Sequence, residues 1–213
     1  MNRSKPVLYT YARSTCSARV RIALNLKGIE YEPKPVNLVQ GEQFAEAFVA
    51  LNPSSMVPCL HIDGLQLVQS VAILEYLDES RPHNPLLPSD PQRRAQVRVI
   101  VGAICCDIQP LQNLRVLKTL PEDKRAAYAR DIIARGLYVV ERTLEQTAGL
   151  FCVGDEVTMA DCCLIPQLWN ARRFDVDLAP YPRIRAIEER ASALDAFRRA
   201  HWSQQPDCPA DLK

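Results

Sequence analysis

Four prolines in the middle of the chain limit its fold more than any other feature of the sequence. They lie within residues 81–91 and are Pro82, Pro85, Pro88 and Pro91. Because proline has a restricted φ and no N–H to donate, this segment cannot be the interior of a helix or a central strand. Before it, hydrophobic residues recur at both strand and helix periods, and after it almost only at the helix period. We therefore expect a domain at 1–81, a linker at 82–91 and an all-helical domain at 92–213.

The first domain is predicted to be a small α+β sheet with helices packed on it. Asp63-Gly64 is a two-residue hairpin signal, so the strands on either side should be antiparallel. Gly28 lies where a helix would end in a left-handed residue, and Ser70 is the expected N-cap of a later helix. The predicted elements are a strand at 7–11, a helix ending at Lys27, an extended segment at 29–36, a short helix at 42–49, strands at Cys59–Ile62 and Leu65–Val68, and a helix at 71–79.

The second domain is predicted to consist of helices at 92–119, 123–147, 159–172 and 183–200. Pro110 lies inside the first of them, and we expect it to kink that helix. Thr158 and Asp161 have the spacing of a capping box, in which each side chain bonds the backbone N–H of the other residue. A structural role for Asp161 is therefore favoured over a catalytic one.

The charge balance excludes a protein that attracts polyanions through its overall field. Twenty-six Lys and Arg residues against 25 Asp and Glu residues give a net charge of +1, so neither nucleic acid nor an anionic membrane is an expected partner. No apolar run approaches the roughly 20 residues that cross a bilayer. Residues 1–6 lead into a strand without the apolar segment of a signal peptide, and we expect a cytoplasmic protein.

The spacing of cysteines and histidines argues against disulfides and metals. The eight cysteines lack the pattern of a secreted scaffold or of a CxxC site, so most are expected to be reduced core residues. The three histidines, His61, His83 and His201, are widely separated, and no metal site is predicted.

The turn at 13–17, between the first strand and the first helix, is the candidate for chemistry. A helix N-terminus has unpaired N–H groups and about half a positive charge, so it stabilises an anion such as a thiolate. Ser14, Thr15 and Ser17 add hydroxyls that can bind a ligand or only cap the helix. Cys16 is then either a reactive group or an inert small residue. These residues alone leave both interpretations open.

Two polar groups in the second domain are further candidates. The first consists of Gln109, Gln112, Asn113 and Arg115. A solvated helix face explains part of this pattern without any ligand. The second is Arg172 and Arg173, at the end of the third predicted helix, where cations are ordinary.

Several short motifs accompany this order of elements. They are RSTCSARVRIAL at 13–24, Val57-Pro58, Gln69-Ser70, IQPLQN at 108–113, VGDEVTMAD at 153–161 and VDLAPYP at 176–182. Together they resemble the zeta class of the soluble glutathione transferases, whose members include maleylacetoacetate and maleylpyruvate isomerases. Thr15 departs from the Ser common in that class but keeps the hydroxyl, and Ala18 replaces a frequent aromatic residue. The resemblance implies a thioredoxin-like N-terminal domain, an all-α C-terminal domain and glutathione as cofactor.

The resemblance also implies roles for individual residues. Ser14, Thr15 and Cys16 would be catalytic, with the Ser14 hydroxyl donating to the glutathione sulfur. The peptide bond before Pro58 would be cis. The residues implied in binding glutathione are Ser14, Thr15, Cys16, Ser17, Arg19, Gln43, Val57, Pro58, Gln69, Ser70, Gln109 and Asn113. The residues implied in binding substrate carboxylates are Arg13, Arg115 and Arg173.

The implied reaction is cis–trans isomerisation of maleylacetoacetate or maleylpyruvate by reversible addition of a thiolate to the double bond. Three alternatives stay open. A conjugating transferase or haloacid dehalogenase would use the same residues. A thiol reductase would use Cys16 as nucleophile, although no second cysteine lies two or three residues away. A non-catalytic interaction module would not need the complete set of Ser14, Gln69 and Ser70. The family further implies a homodimer of C2 symmetry.

Overall fold

The computed structural model describes residues 5–209, which form two compact units. The first unit contains the described residues up to Pro85 together with those from Asp195 onward, and the second is Leu86–Leu194. This division departs from the single helical domain predicted at 92–213. The reason is a long-range contact that periodicity does not reveal, because helix α9 (Asp195–Ala200) packs against helix α1 (Thr15–Leu26).

The first unit is built on a four-stranded sheet of order β2-β1-β3-β4. The strands are β1 (Val7–Thr10), β2 (Glu32–Pro35), β3 (Cys59–Ile62) and β4 (Leu65–Val68). Strand β1 pairs parallel with β2 and antiparallel with β3, which forms the predicted antiparallel hairpin with β4. The prolines of β2 are tolerated because β2 is an edge strand. The predicted thioredoxin-like α+β fold is confirmed.

The helices of the first unit cover this sheet and complete its core. They are α1, α2 (Glu46–Leu51), α3 (Ser70–Ser80) and α9, with 3-10 segments at Glu42–Phe44 and Trp202–Gln204. Val20, Ile22 and Leu24 of α1 are fully buried, and Gly28 takes the left-handed conformation with φ of 64°. The short helix predicted at 42–49 is divided in two, because Ala45 is extended between the 3-10 segment and α2.

Ser70 is not the N-cap of α3, contrary to the prediction. The helix begins at Ser70, and Gln69 occupies the cap position with φ of 68° and no capping bond from its side chain. The Ser70 hydroxyl instead accepts a hydrogen bond from Arg19 Nη1 at 3.1 Å. The prediction was wrong because cap preferences count only local partners, whereas this buried guanidinium comes from another helix.

The second unit is helical in the part that the structure describes, as predicted. Its helices are α4 (Pro91–Gly102), α5 (Leu114–Leu117), α6 (Glu122–Thr147), α7 (Met159–Arg173) and α8 (Pro182–Ala193). Asp90 caps α4 by accepting the Arg93 N–H at 2.9 Å. Leu86 and Leu87 are buried, so the end of the predicted linker is part of this packed unit.

Pro110 ends its helix instead of kinking it. After α4 the chain forms a π-helical turn at Ala103–Ile108, in which the N–H of Gln109 bonds the carbonyl of Ile104 at 2.9 Å. The predicted helix at 92–119 is therefore interrupted at 109–113 and resumes as α5. Proline has no N–H to continue the ladder, and the Asn113 side chain provides a new cap by accepting the Arg115 N–H at 3.0 Å.

The capping box at the start of α7 is confirmed. The buried Asp161 carboxylate accepts the Thr158 N–H at 2.7 Å, the Thr158 hydroxyl at 2.9 Å and the Cys152 N–H at 2.9 Å. Burial raises the pKa of Asp161, and these hydrogen bonds oppose that shift. The carboxylate is thus committed to local structure.

Candidate active site

The turn after β1 fixes the position of Ser14. The Ser14 N–H bonds the Tyr11 carbonyl at 3.0 Å, which closes a β-turn, and Ser14 is the N-cap of α1 with its Oγ accepting the Ser17 N–H at 3.1 Å. Because the oxygen accepts this bond, the hydrogen of the hydroxyl points away from it and can be donated to a ligand. The first N–H groups of α1 have no acceptor inside the helix and carry its positive end.

The four polar residues of the turn differ in access. Thr15 and Ser17 are buried, whereas Ser14 and Cys16 are partly exposed. The Ser17 hydroxyl oxygen has no hydrogen-bond partner within residues 5–209. A ligand can therefore reach the Ser14 hydroxyl and the Cys16 thiol directly, while the side chains of Thr15 and Ser17 are covered.

A second candidate for anion binding lies at the start of α3. Gln69 is exposed and takes a left-handed φ of 68°, which is rare for a residue other than glycine and is common at functional sites. Ser70 is buried, and its hydroxyl is held by Arg19, which is only 2% exposed. Arg19 thus contacts Ser70 and links α1 to the N-terminus of α3.

The segment around Val57 presents an unpaired backbone edge. The Val57-Pro58 peptide bond is cis, as predicted. The Val57 side chain packs with Val36 and Phe48, and its N–H and C=O have no hydrogen-bond partner among the described residues. Gln43 is 7% exposed, and its Oε1 has no hydrogen-bond partner in the described chain. Buried backbone groups without partners are rare, so this edge is suited to an extended peptide.

Two charged residues that the sequence analysis did not single out contact the turn. Arg21 donates to the carbonyls of Tyr11 and Ala12 at 3.2 and 3.0 Å, and Asp207 accepts the Ala12 N–H at 2.7 Å. An arginine among the apolar residues of α1 was a usable signal. Asp207 offered none, because it lies 195 residues from Ala12 along the chain.

In the second unit, the polar residues near Pro110 include a buried amide. Gln112 is 3% exposed, and its Oε1 accepts from Asn170 Nδ2 at 3.0 Å, which ties this segment to α7. A solvated helix face is therefore the wrong explanation for Gln112. Gln109 and Asn113 are half-buried, and the Asn113 side chain caps α5.

The predicted carboxylate-binding arginines occupy different surroundings. The Arg13 guanidinium carbon lies 5.9 Å from the centroid of the Trp202 ring, and that of Arg173 lies 5.4 Å from the Phe174 ring. Arg115 and Arg173 are exposed. Arg172 forms an ion pair with Glu188, with Nη2 and Oε2 2.5 Å apart. This pair gives Arg172 a structural role within the second unit.

The part of the chain that the structure describes shows neither a metal site nor a helix that could span a membrane. Residues 5–209 contain no group of three His, Cys, Asp or Glu side chains placed to bind a metal ion. No helix in this part of the chain is long and apolar enough to cross a bilayer. The eight cysteines form no disulfide in this structure, and Cys59, Cys152, Cys162, Cys163 and Cys208 are buried, as core residues would be.

Known proteins are similar to this chain over its full length. The chain is 54% identical to maleylacetoacetate isomerase of Mus musculus, and the match covers 100% of both chains. The structure of a bacterial maleyl pyruvate isomerase, described as a glutathione transferase of the zeta class, superposes with a TM-score of 0.92 at 43% identity, covering 95% of this chain and 100% of that one.

A third relative was solved with ligands in its active site. It is maleylacetoacetate isomerase of Anaeromyxobacter dehalogenans, with dicarboxyethyl glutathione and citrate bound; it has a TM-score of 0.87 and 46% identity, covering 96% of this chain and 98% of that one. Residues 5–79 match the N-terminal domain of glutathione S-transferase, and residues 90–200 match its C-terminal domain. The chain therefore belongs to the glutathione S-transferase family.

Proposed function

We propose that this protein is a glutathione-dependent cis–trans isomerase of maleylacetoacetate or maleylpyruvate. The observation that carries the proposal is the Ser14 hydroxyl, which caps α1 with its oxygen and keeps its hydrogen for a ligand at the positive end of that helix. The relatives named above support the substrate class. The turn, the α3 N-terminus and the Val57 edge support glutathione as the ligand.

Glutathione is held along the first unit by groups that match its chemistry. The N–H and C=O of Val57, beside Pro58, bind its cysteinyl part as a short antiparallel strand. Gln69 and the N-terminus of α3 at Ser70 bind the γ-glutamyl carboxylate. Gln43, which has a buried amide oxygen to satisfy, binds the glycyl end.

Other residues complete the proposed glutathione site. Arg19 acts by holding Ser70, and Ser17 by donating its N–H to Ser14. Gln109 and Asn113 of the second unit are further proposed ligands of glutathione.

Activation of the thiol is the task of the turn. A free thiol has a pKa of about 8.5, so it is mostly protonated at neutral pH. The Ser14 hydroxyl and the first N–H groups of α1, at Thr15 and Cys16, favour the thiolate because they place hydrogen-bond donors and positive potential at the sulfur. When bound, glutathione supplies a thiolate that adds reversibly to the cis double bond, which can rotate as a single bond before the thiolate leaves.

The substrate carries two carboxylates and gains further negative charge at its carbonyl oxygens as the thiolate adds. Cations are needed at those positions, and the planar fork of arginine matches a carboxylate better than lysine does. We assign this task to Arg13, Arg115 and Arg173. The dicarboxyethyl glutathione bound by the Anaeromyxobacter relative carries a two-carboxylate group of this kind and supports the assignment.

Rate measurements with and without glutathione test the proposal. The substrates are maleylacetoacetate, maleylpyruvate and dichloroacetate. Loss of a maleyl isomer that depends on glutathione but does not consume it is the expected result. Faster turnover of dichloroacetate would favour the haloacid dehalogenase, and failure to bind glutathione would favour a non-catalytic module. A thiol reductase would lose activity on Cys16→Ala and keep it on Ser14→Ala.

We also propose that the protein is a cytoplasmic homodimer of C2 symmetry. The support is family membership. Sedimentation should give twice the chain mass of 24.0 kDa, and a stable monomer at micromolar concentration would contradict the proposal.

A further inference from the structure

We infer that Asp207 is a positioning residue that holds the turn before Ser14 and thereby directs the Ser14 hydroxyl. The inference rests on the proposed function of Ser14. It assigns a role in catalysis to the carboxy-terminal segment, residues 195–209, which lies far from the turn in sequence but belongs to the same compact unit.

Four backbone groups of the turn have hydrogen-bond partners. The Ala12 N–H donates to Asp207 Oδ2 at 2.7 Å, and the Ala12 carbonyl accepts from Arg21 Nη2 at 3.0 Å. The Tyr11 carbonyl accepts from Arg21 Nη1 and from the Ser14 N–H. The peptide planes that lead into Ser14 are thus clamped from both sides, and a rotation of either would move the Ser14 side chain.

Arg21 and Asp207 form a charged pair around this turn. Arg21 is fully buried, and burial lowers its pKa to about 10, although the charges of Tyr31 and Asp207 oppose the shift. The groups that accept hydrogen bonds from Arg21 are neutral: the Thr10 hydroxyl and the carbonyls of Tyr11, Ala12 and Ala200. The carboxylate of Asp207 therefore contributes the negative charge that a buried guanidinium requires.

The segment that carries Asp207 is also held by hydrogen bonds other than the one between Asp207 and Ala12. Asn25 Nδ2 donates to the Ala196 carbonyl at 2.9 Å, and Arg21 Nε donates to the Ala200 carbonyl at 3.1 Å. Gln205 is buried, and its amide donates to the carbonyls of Arg199 and His201 at 2.8 and 2.9 Å. Asp207 is consequently presented from a fixed backbone.

One oxygen of Asp207 is not used for stability. Its Oδ1 is buried and has no hydrogen-bond partner in the described residues, while Oδ2 bonds Ala12. A buried carboxylate oxygen without a donor destabilises the fold. Charge compensation of Arg21 does not require a bond to the turn, whereas the bond from Ala12 to Oδ2 fixes the turn before the thiol-activating hydroxyl.

The experiment compares four variants of the full chain. Asp207→Ala removes the bond to Ala12, Asp207→Asn keeps an oxygen that can accept it, and Asp207→Glu keeps the charge but displaces the oxygen. Asp195→Ala removes an exposed carboxylate from the same segment and is the matched control. For each, kcat, the KM of glutathione, the melting temperature and the ultraviolet absorbance of the bound thiolate are measured against pH.

Positioning predicts a specific pattern. Asp207→Ala lowers kcat about tenfold and moves the thiolate titration to higher pH, while the KM of glutathione changes less than about threefold. Asp207→Asn recovers most of kcat, Asp207→Glu does not, and Asp195→Ala resembles the wild type. If Asp207→Ala does not fold, the contrast between the Asn and Glu variants makes the same test.

Two outcomes would overturn the inference. One is a lower melting temperature in the Asp207 variants with kcat and the thiolate titration unchanged. The other is equal kcat in the Asn and Glu variants. Ser14→Ala is assayed alongside, so that failure of this inference can be told apart from failure of the proposed function. If Ser14→Ala is fully active, the proposed role of Ser14 is wrong. If Ser14→Ala is impaired and the Asp207 variants are not, only the role of Asp207 is wrong.

Discussion

The turn before Ser14 and the segment at 109–115 hold their polar side chains in different ways. The turn is clamped by the charged side chains of Arg21 and Asp207, and its reactive hydroxyl has little freedom. The segment is tied down through the buried amide of Gln112, but Arg115 extends from it into solvent. A thiolate needs one fixed donor, whereas carboxylates on substrate tails of different length can be met by long, adaptable side chains. Fixed chemistry can thus coexist with tolerance for an acetoacetyl or a pyruvyl tail.

The largest expected effect on activity comes from changing the rigid region, the turn before Ser14. Ser14→Ala should lower isomerase kcat about 100-fold, the scale of losing a positioned donor to a developing anion. Cys16→Ala should cost much less, because the thiol of Cys16 is not the N-cap and the N–H groups of α1 remain. Both variants should be assayed at saturating glutathione. A larger loss in Cys16→Ala would exclude the proposed role of Ser14.

The second largest effect concerns the long arginine side chains proposed to bind the substrate carboxylates. Arg173→Ala should raise the KM of the maleyl substrate by an amount equivalent to about 1.5–3 kcal/mol, while glutathione affinity stays nearly unchanged. Arg173→Lys should rescue only part of the loss, because lysine keeps the charge but not the fork. Arg115→Ala should behave like Arg173→Ala.

Arg172→Ala is the matched control for these variants, because Arg172 has its partner in Glu188. It should change the melting temperature more than the kinetics. Equal kinetic constants in all four arginine variants would contradict the dicarboxylate site.

The same comparison shows what the sequence could predict. Local signals were sufficient for the order of elements along the first domain, the Asp63-Gly64 hairpin and the Thr158–Asp161 capping box, because each depends on residues close in the chain. The turn at 13–17 was also identified locally, since a cap, a strand end and a helix start adjoin there. The roles of its individual residues, however, could be predicted only from the resemblance to a known family.

Apart from the local interruption at Pro110, the features that were missed or predicted wrongly depend on partners distant in sequence. Ser70 was expected to cap α3, but a buried arginine from α1 occupies its hydroxyl. Pro110 was expected to kink a helix that a π-helical turn ends instead. The placement of α9 on α1 and the bond from Ala12 to Asp207 arise only once the chain is folded. The periodicity of hydrophobic residues along the sequence contains no information about either contact.

A smaller effect tests how the segment at 109–115 is held. Gln112→Ala should lower the free energy of unfolding by about 1–3 kcal/mol, because it leaves the amide of Asn170 without its acceptor. Urea denaturation measures this loss, with Gln146→Ala on the exposed face of α6 as the control. If Gln112 also positions Arg115, the KM of the maleyl substrate should rise while that of glutathione does not. An unfolding free energy equal to that of the control would show that the amide contact contributes nothing.

The smallest effect is a pH dependence that belongs to the first unit, because the second unit, Leu86–Leu194, contains no histidine. Burial, aided by the charge of Arg21, lowers the pKa of His201, and its neutral Nδ1 accepts the Ser203 N–H. The unfolded chain therefore binds a proton at His201 before the folded chain does, and the unfolding free energy must fall as the pH drops through the ordinary histidine pKa of about 6.5. Urea titrations between about pH 5 and 8 should show this loss, and His201→Gln should reduce the slope. An unchanged slope in that variant would show that other groups cause the pH dependence and that neutral His201 does not help to hold the carboxy-terminal segment.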